Sequence, residues 1–319
     1  MHLPTLKQLE HAAHVVQRAM QPTPQYAWPL LGARLGTQVW LKHENHAPVG
    51  AFKVRGGLVY FHELLQSGMK PAGVITATRG NHGQSVAFAA RRHDLPVTIV
   101  VPTGNSREKN DAMRALGAEL IEHGDDFQAA REHANELAEA RGLHMVPSFH
   151  PFLVQGVASY ALELLHAQPD LDVLYVPIGL GSGVCGAIAV REALGLKTEI
   201  VGVCSADAPA YARSFEYGEI VERPARTQIA DGLACRVPEP SALETIRAHA
   251  SRIVEVTDDE VAEAMRVLFS TTHNAAEGAG AAAVAAIIQE RDRVAGRKVA
   301  AVLSGSNVDR DVFAKVLAG

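Results

Sequence analysis

Short runs rich in valine, isoleucine and threonine alternate along this chain with longer segments of helical pattern, and that alternation limits the fold more than any single residue does. "AGVITAT", "LPVTIVVP" and "AELIEHG" are separated by "GQSVAFAARRH" and "REKNDAMRALG". From "LHMVPSF" onward the rhythm resumes with "LDVLYVPIG", "TEIVGVCSAD", "SRIVEVTDDE" and "KVAAVLSGSN", interleaved with "VAEAMRVLFSTTH" and "AAAVAAIIQERD". Runs of this kind are strands and the segments between them are crossover helices, so the repetition predicts an α/β protein built on parallel sheets. Residues 4–20 read as an amphipathic opening helix, "TQVWLKHE" as another strand, and 58–66 as the helix that follows it. With 319 residues there is enough chain for two cores, and two interlocked lobes sharing one cleft are expected. In open sheets of this class, ligands sit outside the carboxyl ends of the strands.

A formal net charge of -5, with both signs spread along the chain, leaves no basic stripe for nucleic acid and no acidic tail. The expected partner is a small molecule. The N-terminus lacks an apolar signal core, and no window reaches the roughly eighteen apolar residues of a spanning helix, so no membrane association and a cytoplasmic location are expected. Cys185, Cys204 and Cys235 are odd in number and scattered, which excludes a disulfide framework or a CxxC knuckle and fits a reducing compartment.

Four loops at strand ends carry the candidate chemistry. In "HENHAPVGAFKVRGG" (43–57), Lys53 follows small and apolar residues. Lysines are mostly solvated charges, but such neighbours would desolvate this one, lower its pKa and leave an amine able to form a Schiff base with a carbonyl. In "TATRGNHGQSVAFAA", Thr78, Arg79, Gly80, Asn81, His82 and Gly83 lead directly into a helix. That is either a plain turn with a cap or an anion site of backbone amides reinforced by Arg79, suited to a substrate carboxylate.

In "VLYVPIGLGSGVCGAIAV", Gly179, Leu180, Gly181, Ser182 and Gly183 join a strand to a helix in a phosphate-cradling arrangement. Gly181, Gly183 and Gly186 also match the dinucleotide fingerprint, with Asp207 placed for a ribose, so an NAD(P)-dependent oxidoreductase is the rival of a different class. The fourth loop, "AAVLSGSNVD", offers Ser304, Gly305, Ser306 and Asn307 at the end of the last strand, where a serine can hydrogen-bond a ring nitrogen. His43 and His46 around Glu44 lack the spacing of a helical metal pair and read as solvated or supporting histidines, His11 and His14 fall on an exposed helix, and "GDDF" (124–127) reads as a helix cap.

Taken in order, the VGAFK lysine, GNHG, the glycine-rich loop and SGSN resemble the fold type II pyridoxal phosphate enzymes, specifically the threonine and serine dehydratase group, from "VWLKHE" to "SGSNVD". The resemblance implies a tryptophan synthase β-like fold with a large cofactor-binding domain from 1–65 and 150–319 and a small mobile domain from 66–149. It implies pyridoxal 5'-phosphate as cofactor, held by Lys53 as a Schiff base. Phe52 would pack beside it, Asn81 would bond its phenolic oxygen, Gly179 to Gly183 would hold its phosphate, and Ser304 would face its pyridine nitrogen. Glu277 in "AAEGAGA" matches the acidic residue beside the ring, and "IADGLA" (229–234) also matches the group.

Arg79 departs from the pattern, because racemases of the family use a serine there as an acid and base on the opposite face, and a guanidinium cannot take that proton. Cys204 and Ala210 replace the acidic metal ligands of some relatives, so no metal is expected at that site. The segment "FHPFLVQGVAS" looks shorter than its usual counterpart. The reaction implied is α-proton removal by Lys53 and loss of a β-hydroxyl, with the cofactor phosphate as proton source, yielding a 2-oxo acid and ammonia. Threonine and serine are the default substrates, with a β-aryl substrate such as L-phenylserine as the bulkier option, and a homodimer is the expected assembly. A β-replacing synthase would carry threonine in place of His82; a non-catalytic binding module would give the desolvated lysine no task.

Overall fold

The last strand in sequence lies inside the larger sheet, and this placement brings the two ends of the chain to one site. In the computed structural model, which describes residues 2–319, the strands are β1 (Gln25–Ala27), β2 (Gln38–His43), β3 (Val74–Ala77), β4 (Val97–Val101), β5 (Glu119–Glu122), β6 (His144–Met145), β7 (Val173–Pro177), β8 (Glu199–Ser205), β9 (Arg252–Val256) and β10 (Lys298–Leu303). Six form a sheet in the order β1-β2-β10-β7-β8-β9, and four form a second sheet in the order β5-β4-β3-β6. All pairs are parallel except β1 with β2. The α/β class with two parallel sheets is therefore the observed one. β3, β4 and β7 are buried along their whole length, as expected of strands covered by helices on both faces.

The helix Gly278–Gln289 is alanine-rich and buried on nearly every side, the pattern of a helix inside a core rather than on its surface. It packs with β7, β8 and β9 in the same apolar cluster. On the other face of the large sheet, Pro151–Ala167 and Ser182–Ala193 share a second cluster with Leu174, Val176 and Ile200. Among the described residues no helix is long and apolar enough to cross a membrane.

Three local expectations change. The helix after Lys53 begins at Lys53 itself and runs Lys53–Gln66, so Gly56 and Gly57 lie inside it. Glycine costs such a helix about 1 kcal/mol relative to alanine, but close helix packing demands it here. A Cβ on Gly57 would stand 2.4 Å from Ser85 Oγ, and one on Gly156 would stand 2.3 Å from the Arg55 carbonyl oxygen. The run "LHMVPSF" contributes only the two residues of β6, and β1 adds an antiparallel edge strand that the sequence did not signal. "GDDF" does cap a helix: Asp126 accepts from the Ala129 amide at 2.9 Å at the start of Phe127–Arg141.

Candidate active site

Because β2 and β10 are parallel neighbours, the loops leaving their carboxyl ends run side by side and are stitched together. Phe52 N donates to Ser304 O at 3.0 Å and Ser306 N to Gly50 O at 2.9 Å. Ala51 and Gly305 form an isolated bridge, and Asn307 Nδ2 donates to Val49 O at 2.8 Å. This backbone lattice fixes Phe52 and Lys53 beside Ser304. The Lys53 ammonium lies 5.1 Å from the centre of the Phe52 ring. Among the described residues its one hydrogen bond is to Ser182 Oγ, at 3.2 Å. Desolvation alone pulls its pKa down to about 8, the direction expected when no anion compensates for lost water.

Ser182 opens the helix Ser182–Ala193 and belongs to the glycine loop. Between Ile178 N, which donates to Val203 O, and Cys185 N, which donates to Gly181 O, the amides of residues 179–184 have no backbone acceptor. Gly181 has φ 96, and a Cβ on Gly179 would stand 2.4 Å from the Gly232 oxygen. Two tyrosine hydroxyls hold the loop from behind: Tyr211 donates to Leu180 O and Tyr160 to Gly183 O, each at 2.9 Å. Gly186, the third glycine of the dinucleotide fingerprint, lets this helix approach its neighbour, since a Cβ there would lie 3.0 Å from Ala158 Cα.

From the smaller sheet, Thr78 Oγ1 accepts from the amides of Gly80 (2.9 Å) and Gly83 (3.2 Å), shaping the turn before the helix Asn81–Arg91. Gly80 has φ 154 and abuts the aliphatic stem of Lys109. Asn81 Nδ2 donates to Glu277 Oε1 at 2.6 Å, while its Oδ1 accepts from Asn307 Nδ2 at 2.8 Å. Asn81 and Glu277 thus meet directly across the cleft. Lys109 completes the contact, 2.7 Å from Asp231 Oδ2 and 3.1 Å from Glu277 Oε2. Burial lowers its pKa, but Glu277 and Asp231 outweigh that and hold it above the ordinary lysine range. Burial raises the Glu277 carboxyl, with Lys109 acting against the rise.

His82 is buried, its pKa pushed down to about 3 by desolvation with the Lys53 charge adding to the effect, and its Nε2 has no partner. Arg79 is half-buried and, among the described residues, makes no hydrogen bond or ion pair. The Ser304 hydroxyl is buried and donates to Ala279 O at 3.4 Å.

Residues that the sequence had not marked support the site. Arg55, in the first turn of the lysine helix, is fully buried and bonds Glu44 Oε2 and Glu163 Oε1, each at 2.7 Å; Lys42 donates to Glu163 Oε2 at 2.6 Å. Buried charges need such pairing, and this one anchors the helix just beyond Lys53. His43 is not solvated: it is fully buried, accepts from Trp28 Nε1 at 2.9 Å, and has its pKa lowered to about 4 by burial and then by His46. His11 is exposed but bonded to Glu63 at 3.0 Å.

The family described as "Pyridoxal-phosphate dependent enzyme" matches residues 16–305. The chain is 31% identical over 314 residues to the L-threonine ammonia-lyase of Thermotoga maritima, covering 98% of this chain and 78% of that one. It is 32% identical over 297 residues to the biosynthetic L-threonine dehydratase of Haemophilus influenzae, covering 92% of this chain but only 58% of that protein. Among solved structures, threonine deaminase isoform 2 from Solanum lycopersicum superposes with a TM-score of 0.88 at 28% identity, over 99% of this chain and 95% of that one.

The residues present fit such a cofactor. A desolvated lysine amine stands next to a loop whose amides from 179 to 184 are free and lead into a helix N-terminus, the donor set a phosphate requires.

Proposed function

Because the chain belongs to the pyridoxal-phosphate dependent enzyme family, we propose that it is a lyase that removes water and ammonia from a β-hydroxy-α-amino acid to give a 2-oxo acid. The cofactor supplies the electron sink that makes an α-proton removable. Lys53 takes that proton. An amine lowered to about 8 is near the range in which a general base works at neutral pH. The amides around Asn81 and His82 receive the substrate carboxylate at the start of their helix. Asn81, which bonds Glu277 in the free protein, would bond the cofactor's phenolic oxygen, and the glycine loop would hold its phosphate. Ser304 offers the ring nitrogen a hydrogen bond without a full negative charge, which disfavours a protonated ring and so favours elimination over transamination.

One observation carries this reading: among the described residues the Lys53 amine has only the Ser182 hydroxyl as partner, beside a glycine loop whose amides from 179 to 184 have no backbone acceptor. The relatives' names favour L-threonine and L-serine as substrates. Arg79 and the short 150s segment make L-phenylserine the bulkier substrate to set beside them. We infer a homodimer working in the cytoplasm, in agreement with three buried free thiols, and a small domain from 66–149 that moves against 1–65 and 150–319.

Purified protein loaded with pyridoxal phosphate should show a violet-absorbing chromophore that borohydride abolishes, with the reduced adduct mapped to Lys53, and should release 2-oxo acid from one of these three amino acids. A cofactor adduct at another lysine, or no 2-oxo acid from any of them, overturns the proposal. Nucleotide-dependent reduction without the chromophore would favour the oxidoreductase.

A further inference from the structure

Beside Lys53 lies a cavity of about 10 Å³ lined by Lys53, Ser182, His82 and Ser148 together with the apolar Leu153 and Val157. A cavity needs roughly 10–15 Å³ and two to four polar partners to hold one water-sized oxygen. This one meets both conditions, and several of its polar groups are unspent. His82 Nε2 is buried without a partner, Ser148 makes no hydrogen bond among the described residues, and Lys53 bonds only Ser182. A space of this size, bordered by hydroxyl, imidazole and amine side chains, suits a hydroxyl.

Resting on the function proposed above, we propose that this cavity seats the β-oxygen of the substrate, with Ser148 and His82 as the residues that select a hydroxyl as leaving group. The Cα–H bond breaks and its proton goes to Lys53. The pair left at Cα becomes the Cα=Cβ bond as the Cβ–O bond breaks with its electron pair going to the oxygen, which receives the proton from the Lys53 ammonium lining the same cavity, in place of the cofactor phosphate that the resemblance implies, and leaves as water. Atoms and charge balance without a further reactant. Ser148 acts by donating its hydroxyl hydrogen to the oxygen as charge develops there, and His82, held neutral, fills the oxygen's remaining hydrogen-bonding position.

The test compares L-serine with β-chloro-L-alanine, whose chloride departs without needing a proton. In Ser148→Ala, kcat/KM for L-serine should fall about tenfold or more, the loss of one hydrogen bond to a charged atom, while that for β-chloro-L-alanine changes less than about twofold. Ser148→Thr, which keeps the hydroxyl, should recover most of the loss. A second readout needs no turnover: in Lys53→Ala, L-serine should raise Tm more than L-alanine, and adding Ser148→Ala should erase that difference. Equal losses on both substrates, no loss on either, or a thermal difference that survives Ser148→Ala overturns the seat. A wild-type enzyme inactive on both substrates despite a cofactor adduct at Lys53 overturns the lyase reading, and the seat with it.

Discussion

Lys53 and Lys109 face the same cleft from opposite sheets, and their surroundings set their charges in opposite directions. Both lose water. Lys109, with only 6% of its side chain exposed, keeps its proton because Asp231 and Glu277 stand within 2.7 and 3.1 Å. Lys53 has a serine hydroxyl and an aromatic ring instead of an anion, so desolvation is unopposed and its pKa falls to about 8. One lysine is a structural cation that ties the two sheets together; the other is an amine made available for chemistry. Residue type does not separate them, and Lys109 is the more buried of the two, so the separation comes from what lies within hydrogen-bonding distance.

The comparison breaks most visibly by removing each amine. Lys53→Ala should lower turnover by at least 10²–10⁴-fold, the range for losing a positioned base, with near-wild-type Tm and no borohydride-trapped adduct. Substantial activity in the folded variant would make Lys53 the ordinary lysine of the pair. Lys109→Met should show the reverse emphasis, a stability loss of about 2–3 kcal/mol in urea denaturation, because Glu277 is left buried and unpaired. That sits below the usual cost of breaking a buried pair because Asp231, 32% exposed, can rehydrate. Glu277→Gln in the same chain should recover part of it. An unchanged urea midpoint would mean that the two sheets are not held by this cation.

Arg79 is a third cation at the cleft and sharpens the contrast because it has no partner among the described residues. We expect it to meet the substrate carboxylate, so that Arg79→Lys, which keeps the charge but loses the planar fork, raises KM about tenfold with kcat nearly constant, the signature of a contact equal in ground and transition states. A fall in kcat with a shifted cofactor spectrum would assign Arg79 to the cofactor instead. Wild-type kinetics in both Arg79→Lys and Arg79→Ala would make it a surface side chain.

The unequal legibility of these residues has a physical basis. The parallel sheets were legible because strands covered on both faces must be continuous apolar runs, and "VTIVV" or "VLYVP" can be little else. Lys53, the GNHG turn and the glycine loop were legible because each needs local residues of a specific type: a desolvated lysine, a helix entry, glycines where an added Cβ would stand within 2.4 Å of another backbone. Lys109, Arg55 and Glu163 carry no such mark, because a charged residue in a helical segment looks the same whether its partner is water or a carboxylate more than a hundred residues away. The start of the lysine helix was misplaced for a related reason. Gly56 and Gly57 read locally as breakers, and only the packing of Ser85 and Leu153 against them explains why a helix tolerates both. Ser148 carries no local signal at all, since its setting exists only once "VPSFH" has folded beside His82.

The smallest effect tests the origin of the contrast itself, the uncompensated desolvation of Lys53. In the unfolded chain this lysine keeps its proton up to the ordinary value of 10.5, whereas the folded protein releases it near 8. Between those two values the unfolded state binds more protons, so stability must rise with pH across that window. Below pH 8 both states are protonated and the cost of holding a charge there is fully present; above 10.5 both are neutral and the cost is gone. Replacing the amine by an apolar side chain of similar length removes the cost at every pH. Cofactor-free Lys53→Met should therefore exceed cofactor-free wild type at pH 7 by on the order of 1 kcal/mol, a figure set below the full shift because the side chain is only partly buried. The advantage should shrink as pH rises from 8 toward 10.5, read from parallel urea titrations of the two proteins. Lys109→Met cannot behave in this way, since its lysine is raised rather than lowered, and any gain there below pH 8 would remove the distinction between the two sites. A Lys53→Met advantage that is absent at pH 7, or that does not change across the window, would show that the amine is hydrated in the free protein and becomes desolvated only when the cleft is filled.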